Sequence, residues 1–174
     1  MHRKGRSAMY QPGDQIVYGS HGVCNIVALE IKTIDRKKVE YYVLSPIERN
    51  EARFYVPTQN QVAVSKLRPV LTKEELDTML KDPDVLRDCW IADENRRKLV
   101  YREMINSTDR GRLIGMVHTL HLHREQQRKS GRKFHLCDEN SLRDAEKLLN
   151  EEISLVLNIP VSQVEEYIHK TIAG

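Results

Sequence analysis

The chain has 174 residues, of which 40% are hydrophobic and 30% charged, with a formal net charge of +3; this fits a globular protein of one ordinary domain or two small ones. No apolar run approaches the roughly 20 residues needed to cross a bilayer, and the basic start, with no apolar stretch behind it, does not match a secretory signal. Three scattered cysteines, Cys24, Cys89 and Cys137, form neither a CxxC pair nor a disulfide framework and point to the reducing cytoplasm.

The small net charge conceals a block pattern. Residues 96–133 hold eleven Lys and Arg against three Asp and Glu, a net of +8, while the flanking segments 71–95 and 134–174 each hold three against eight, a net of −5. A cationic block between acidic neighbours attracts polyanions; a solvated helical face is the plainer reading of the same run.

In chain order, residues 1–8 are set apart as a disordered or appended basic stretch. Asp14–Tyr18 follows a Pro12-Gly13 turn as a first strand, and Val23–Ile34 alternates and is rich in β-branched residues. Residues 35–38 are a polar turn, and Val39–Leu44 is the returning strand. Arg53–Val56 is a further strand closed by Pro57, and Val62–Val64 a short last one. Five short strands within so few residues predict a small closed or nearly closed barrel of the SH3 or Tudor kind.

From Leu71 the period becomes helical. Thr72 through Glu75 reads as a capping box, and Pro83 ends that helix. Asp84 to about Ile105 continues helical, with a break near Trp90. Asp109 caps a helix to about Lys129 with Leu113, Val117 and Leu120 inward, stopped by Gly131. Asp138 opens a helix through Leu157 with Leu142, Ala145, Leu149, Ile153 and Val156 inward. A second capping box, Ser162 to Glu165, starts a last helix. The predicted class is α+β: a sheet domain over 9–69 and an all-helical domain over 70–174, divided at Pro69.

The motifs favour binding over catalysis. The chain has no Walker loop, GxGxxG, HExxH or GxSxG. Gly19 and Gly22 flank a turn that no helix follows, so no helix N-terminus is available to hold an anion there. His118 and His121 share a helical face, with His123 close by, and a metal would need further ligands. Trp90 is the sole tryptophan; it reads either as a core residue or as an exposed wedge beside Arg96, Arg97, Lys98 and Arg102. Arg110 and Arg112 open the next helix, and Arg124, Arg128, Lys129, Arg132 and Lys133 close it. Cations at both ends of a helical hairpin suit a phosphate-tracking surface, and no helix-turn-helix or zinc-finger pattern supports base-specific readout.

Gln11 through Tyr18, then His21-Gly22-Val23, Tyr42-Val43-Leu44 and Tyr55-Val56-Pro57, closely resemble the opening of the CarD/CdnL family of bacterial transcription factors. They are also similar to the polymerase-interacting domain of the transcription–repair coupling factor. Trp90, Arg96-Arg97, the Ser107-Thr108-Asp109 junction and the Asp144–Leu149 helix extend the resemblance more loosely. It implies a Tudor-like domain that binds the RNA polymerase β subunit, with Lys32, Tyr55 and Pro57 at that contact. It also implies a helical domain at the upstream edge of the melted promoter, with Trp90 as a minor-groove wedge and Arg96 and Arg97 on the backbone. Two departures stand out: Ile91–Asn95 separates the tryptophan from the arginine pair, and Tyr55 stands where some relatives have arginine.

The expected function is a non-enzymatic transcription regulator that bridges polymerase and promoter DNA and stabilises the open complex. Its expected DNA set is Trp90, Arg96, Arg97, Arg102, Arg128, Lys129 and Arg132, bound without sequence preference. No cofactor, metal, membrane or small-molecule substrate is expected. An RNA- or ribosome-binding module on the same scaffold is the alternative, and a metal-dependent hydrolase built on the His118 cluster is a third reading.

Overall fold

A computed structural model describes residues 10–173. The chain divides into two units, Met1–Val70 and Leu71–Gly174.

The first unit is one antiparallel sheet of five strands: β1 (Gln15–Tyr18), β2 (Val23–Ile34), β3 (Lys37–Pro46), β4 (Phe54–Pro57) and β5 (Leu67–Pro69), in the order β4-β3-β2-β1-β5. A long hairpin, β2–β3, dominates it. Its turn is only Asp35-Arg36, both left-handed at φ 49° and 63°, between the paired Ile34 and Lys37. That backbone matches strand twist, at some cost for a non-glycine pair. Ile26, Tyr42, Leu44 and Val56 share the buried face with Ile16, Cys24 and Leu67, and a bulge between Ile26 and Ala28 shifts the register so that Leu29, opposite Tyr42, packs against the same core. Tyr10 closes one end of this core, its ring edge-on to Tyr42.

The sheet is open, which corrects the expected barrel: β4 and β5 are its two edges and do not pair. Both are only three or four residues long and both end in proline, which has no N–H to give a closing ladder. The segment Val62–Val64, expected as a strand, lies instead in a short helix, α1 (Gln61–Val64), capped by the Asn60 side chain accepting from the Ala63 N–H. The fifth strand is Leu67–Pro69, paired with β1.

The second unit contains α2 (Lys73–Lys81), α3 (Glu94–Asn106), α4 (Arg110–Lys129), α5 (Leu136–Leu157) and α6 (Val164–Ala173). Thr72 and Glu75 form the expected capping box, and Asp109 caps α4. Gly131, at φ 68°, supplies the left-handed residue that ends α4. Residues 84–93 are not helical, contrary to expectation. After Pro83, aspartates take the local N–H groups for themselves: Asp82 accepts from Asp84, Asp88 from Trp90 and Asp93 from Arg96. Such side-chain bonds compete with the helical ladder, so α3 begins only after its Asp93 cap. The segment runs close over α4 at Gly115, where a Cβ would stand 2.5 Å from the Val85 carbonyl oxygen.

The fourth long helix begins at Leu136 rather than Asp138, because Asp138 is buried and engaged elsewhere. The last begins at Val164 behind a 3₁₀ turn, Val161–Gln163, and Ser162 caps nothing. Leu76, Leu80, Tyr101, Leu113, Met116, Leu120, Leu142, Ala145, Leu149 and Ile153 fill the core between the helices. Val117 packs at its margin, and Val156 is only partly buried. Two ion pairs are enclosed with it, Arg97–Asp138 and Arg110–Glu152, each closing at 2.8 Å.

Candidate interaction surfaces on the sheet and the helices

On the sheet, strand alternation sends Lys32, Tyr41, Tyr55 and Pro57 to the face opposite the core. Tyr41 lies across from Pro57, and Val43 from Tyr55. The structure brings two of the expected residues into contact: the Lys32 ammonium sits 3.4 Å from the centre of the Tyr55 ring. Such a stack contributes about 0.5–1 kcal/mol at an exposed site. Tyr41 meets the same ring edge-on at 6.4 Å, and Glu30 approaches the Lys32 ammonium at 3.9 Å. Tyr55 remains 44% exposed, so the assembly is a shaped surface feature. Pro57 is partly buried on the same strand. Because β4 is an edge strand, half of its backbone groups face away from β3, and an added strand would satisfy them. Tyr41 and Glu30 were not singled out in the sequence, although their alternation with Tyr55 and Lys32 carries the signal.

On the helices, the segment 82–93 delivers Trp90 to the side of α4. The His123 imidazole lies flat on the indole, ring centroids 4.0 Å apart and planes 10° from parallel. The Arg97 guanidinium carbon is 4.1 Å from the same ring. Trp90 is partly buried against the helical core. Both planar neighbours are tethered. His123 Nε2 is 3.0 Å from an Asp88 carboxylate oxygen, and Arg97 donates from Nε and an Nη to both oxygens of Asp138. Burial alone would push the Asp88 carboxyl up, but its hydrogen bonds with His123 and the Trp90 backbone N–H hold it below the usual carboxylate range.

This overturns one expectation. Arg97 is 3% exposed, and its remaining donor reaches the Ile91 carbonyl at 2.6 Å, so it is not a cation presented to phosphate. Its hydrogen bonds to Asp138 raise its pKa further and keep it charged. Arg96 beside it is exposed. Arg96, Leu99 and Arg102 are spaced i, i+3, i+6 and form one slanted stripe along α3, with Leu99 60% exposed between the two cations. Glu94 at the start of α3 lies within 4.0 Å of His135, next in chain to the exposed pair Arg132-Lys133. The N-terminus of α3 and the α4–α5 connection therefore share one end of the unit. Arg128 and Lys129 are exposed but both pair with Glu125, at 3.1 and 3.6 Å. Among the described residues, the exposed cations of 96–133 outside any described ion pair are Arg96, Lys98, Arg102, Arg112, Arg132 and Lys133.

The three histidines have separate environments. His121 Nε2 contacts Glu146 at 2.6 Å, His123 holds Trp90, and burial lowers the pKa of His118. Among the described residues no three His, Cys, Asp or Glu side chains converge as metal ligands would, and no described helix is long and apolar enough to cross a membrane.

Comparison with known families matches residues 10–70 to the CarD-like/TRCF RID domain. No curated protein matches the chain. The matched span is the five-stranded unit, including the Lys32–Tyr55 stack and the edge strand β4. Residues 10–70 of this chain are thus a domain of the CarD-like/TRCF RID kind, an RNA polymerase-interacting domain.

Proposed function

We propose that this protein is a non-catalytic transcription regulator that binds the β subunit of RNA polymerase and promoter DNA and stabilises the open complex. The observation that carries the reading is the exposed edge strand β4 with Tyr55 under the Lys32 ammonium, inside the span that matches a polymerase-interacting domain. A strand of the polymerase would add to β4 through backbone hydrogen bonds, and Lys32, Tyr55 and Pro57 would supply side-chain fit.

The helical unit would then meet DNA through Arg96, Arg102, Arg132 and Lys133, with Arg128 and Lys129 contributing once released from Glu125. Trp90 would supply the stacking surface at a loosened base step. Polymerase tethering raises the local concentration of this surface at the promoter, so weak DNA affinity suffices. Binding the open state better than the closed one shifts the equilibrium, about tenfold for each 1.4 kcal/mol of difference. Sequence preference would come from polymerase, since the helical cations would contact backbone and not base edges.

Copurification with core RNA polymerase tests the reading. The wild-type chain should be retained, and Tyr55→Glu with Pro57→Ala should abolish retention while the sheet unit stays folded by circular dichroism. Undiminished retention of the folded double variant refutes the assigned contact.

A further inference from the structure

Trp90 does not present a bare indole. His123 from α4 covers one face at 4.0 Å, nearly parallel, and is fixed by Asp88, whose other oxygen accepts from the Trp90 backbone N–H. Tryptophan, aspartate and histidine thus close a loop between two segments far apart in sequence. A planar base cannot stack on the covered face unless the imidazole leaves.

We propose that His123 is a positioning residue that masks Trp90, and that an unpaired base engages Trp90 by taking the place of the imidazole. This rests on the promoter-binding reading above. The exchange swaps one stacked pair for another, so its net free energy is small and the mask opens only where a base is already unstacked. Intact duplex, with bases stacked on each other, gains nothing by displacing it. The masked ring thereby discriminates melted from closed DNA without reading sequence.

Because Trp90 is the sole tryptophan, its emission reports on the full-length chain directly. Acrylamide quenching should rise in His123→Ala and stay near wild type in His123→Phe, which keeps the stack. A single-stranded oligonucleotide should bind His123→Ala about threefold to tenfold more tightly than wild type, the factor implied by releasing one stacked aromatic pair. Unchanged quenching in His123→Ala overturns the proposal alone. Open complexes whose lifetime is indifferent to Trp90→Ala overturn the promoter reading, and the proposal with it.

Discussion

Arg97 illustrates how a residue's role follows from its partners. Its guanidinium grips both oxygens of Asp138 at 2.8 Å in a site where both side chains are 3% exposed. Removing either partner leaves an uncompensated charge in the core. We expect Arg97→Ala or Asp138→Ala to cost about 3–5 kcal/mol, read as a lowered midpoint in urea unfolding of the full chain. The pair Arg97→Met with Asp138→Leu should recover most of that loss, since a well-packed apolar pair avoids the desolvation of both ions. If Arg97→Ala unfolds at the wild-type midpoint, Arg97 is not a structural residue. The adjacent arginines look alike in sequence because both sit in a cationic run; helical phase alone does not separate them while their partner lies 41 residues away. Lys32 and Tyr55 were identified through family resemblance, and their mutual stack was not visible in the order of residues.

At the scale of elements, local chemistry was legible and distant pairing was not. The Thr72–Glu75 capping box, the Asp109 cap and the Gly131 stop are all sequence-local, and each sits where its residue type places it. Composition predicts helix from Asp84 to about Ile105 with a break near Trp90; up to residue 93 three aspartates, Asp82, Asp88 and Asp93, divert the backbone instead. The strand expected at Val62–Val64 failed for a related reason, since an Asn60 cap outweighs the strand preference of two valines. The 82–93 segment depends on Gly115, where a methyl group would stand 2.5 Å from the Val85 carbonyl oxygen. Backbone on both sides leaves little room to yield. Gly115→Ala should therefore cost about 1–3 kcal/mol and shift Trp90 emission, because the same segment carries the ring. Calorimetry and fluorescence on one sample check both, and an unaltered melting curve would mean that the segment moves aside freely.

For the whole molecule, the charge pattern overstated the cationic surface. The net of +8 over 96–133 includes Arg97 and Arg110, both enclosed with carboxylates, and three more cations paired on the surface. DNA binding by the protein alone should accordingly be weak and salt-dependent. Arg96→Ala with Arg102→Ala should flatten the log–log salt slope by up to about 1.8, at ~0.9 per phosphate contact, whereas Arg128→Ala should change it less because Glu125 already holds that side chain. A slope untouched by the α3 pair would place the DNA surface elsewhere. The two enclosed arginines also set an order of events during synthesis. Their carboxylate partners, Asp138 and Glu152, both belong to α5 and follow them by 41 and 42 residues. Neither α3 nor α4 can bury its arginine until α5 has emerged from the ribosome. The core of the sheet unit is drawn from Tyr10 to Leu67, all made before the helices, so polymerase-binding competence would arise first in each nascent chain.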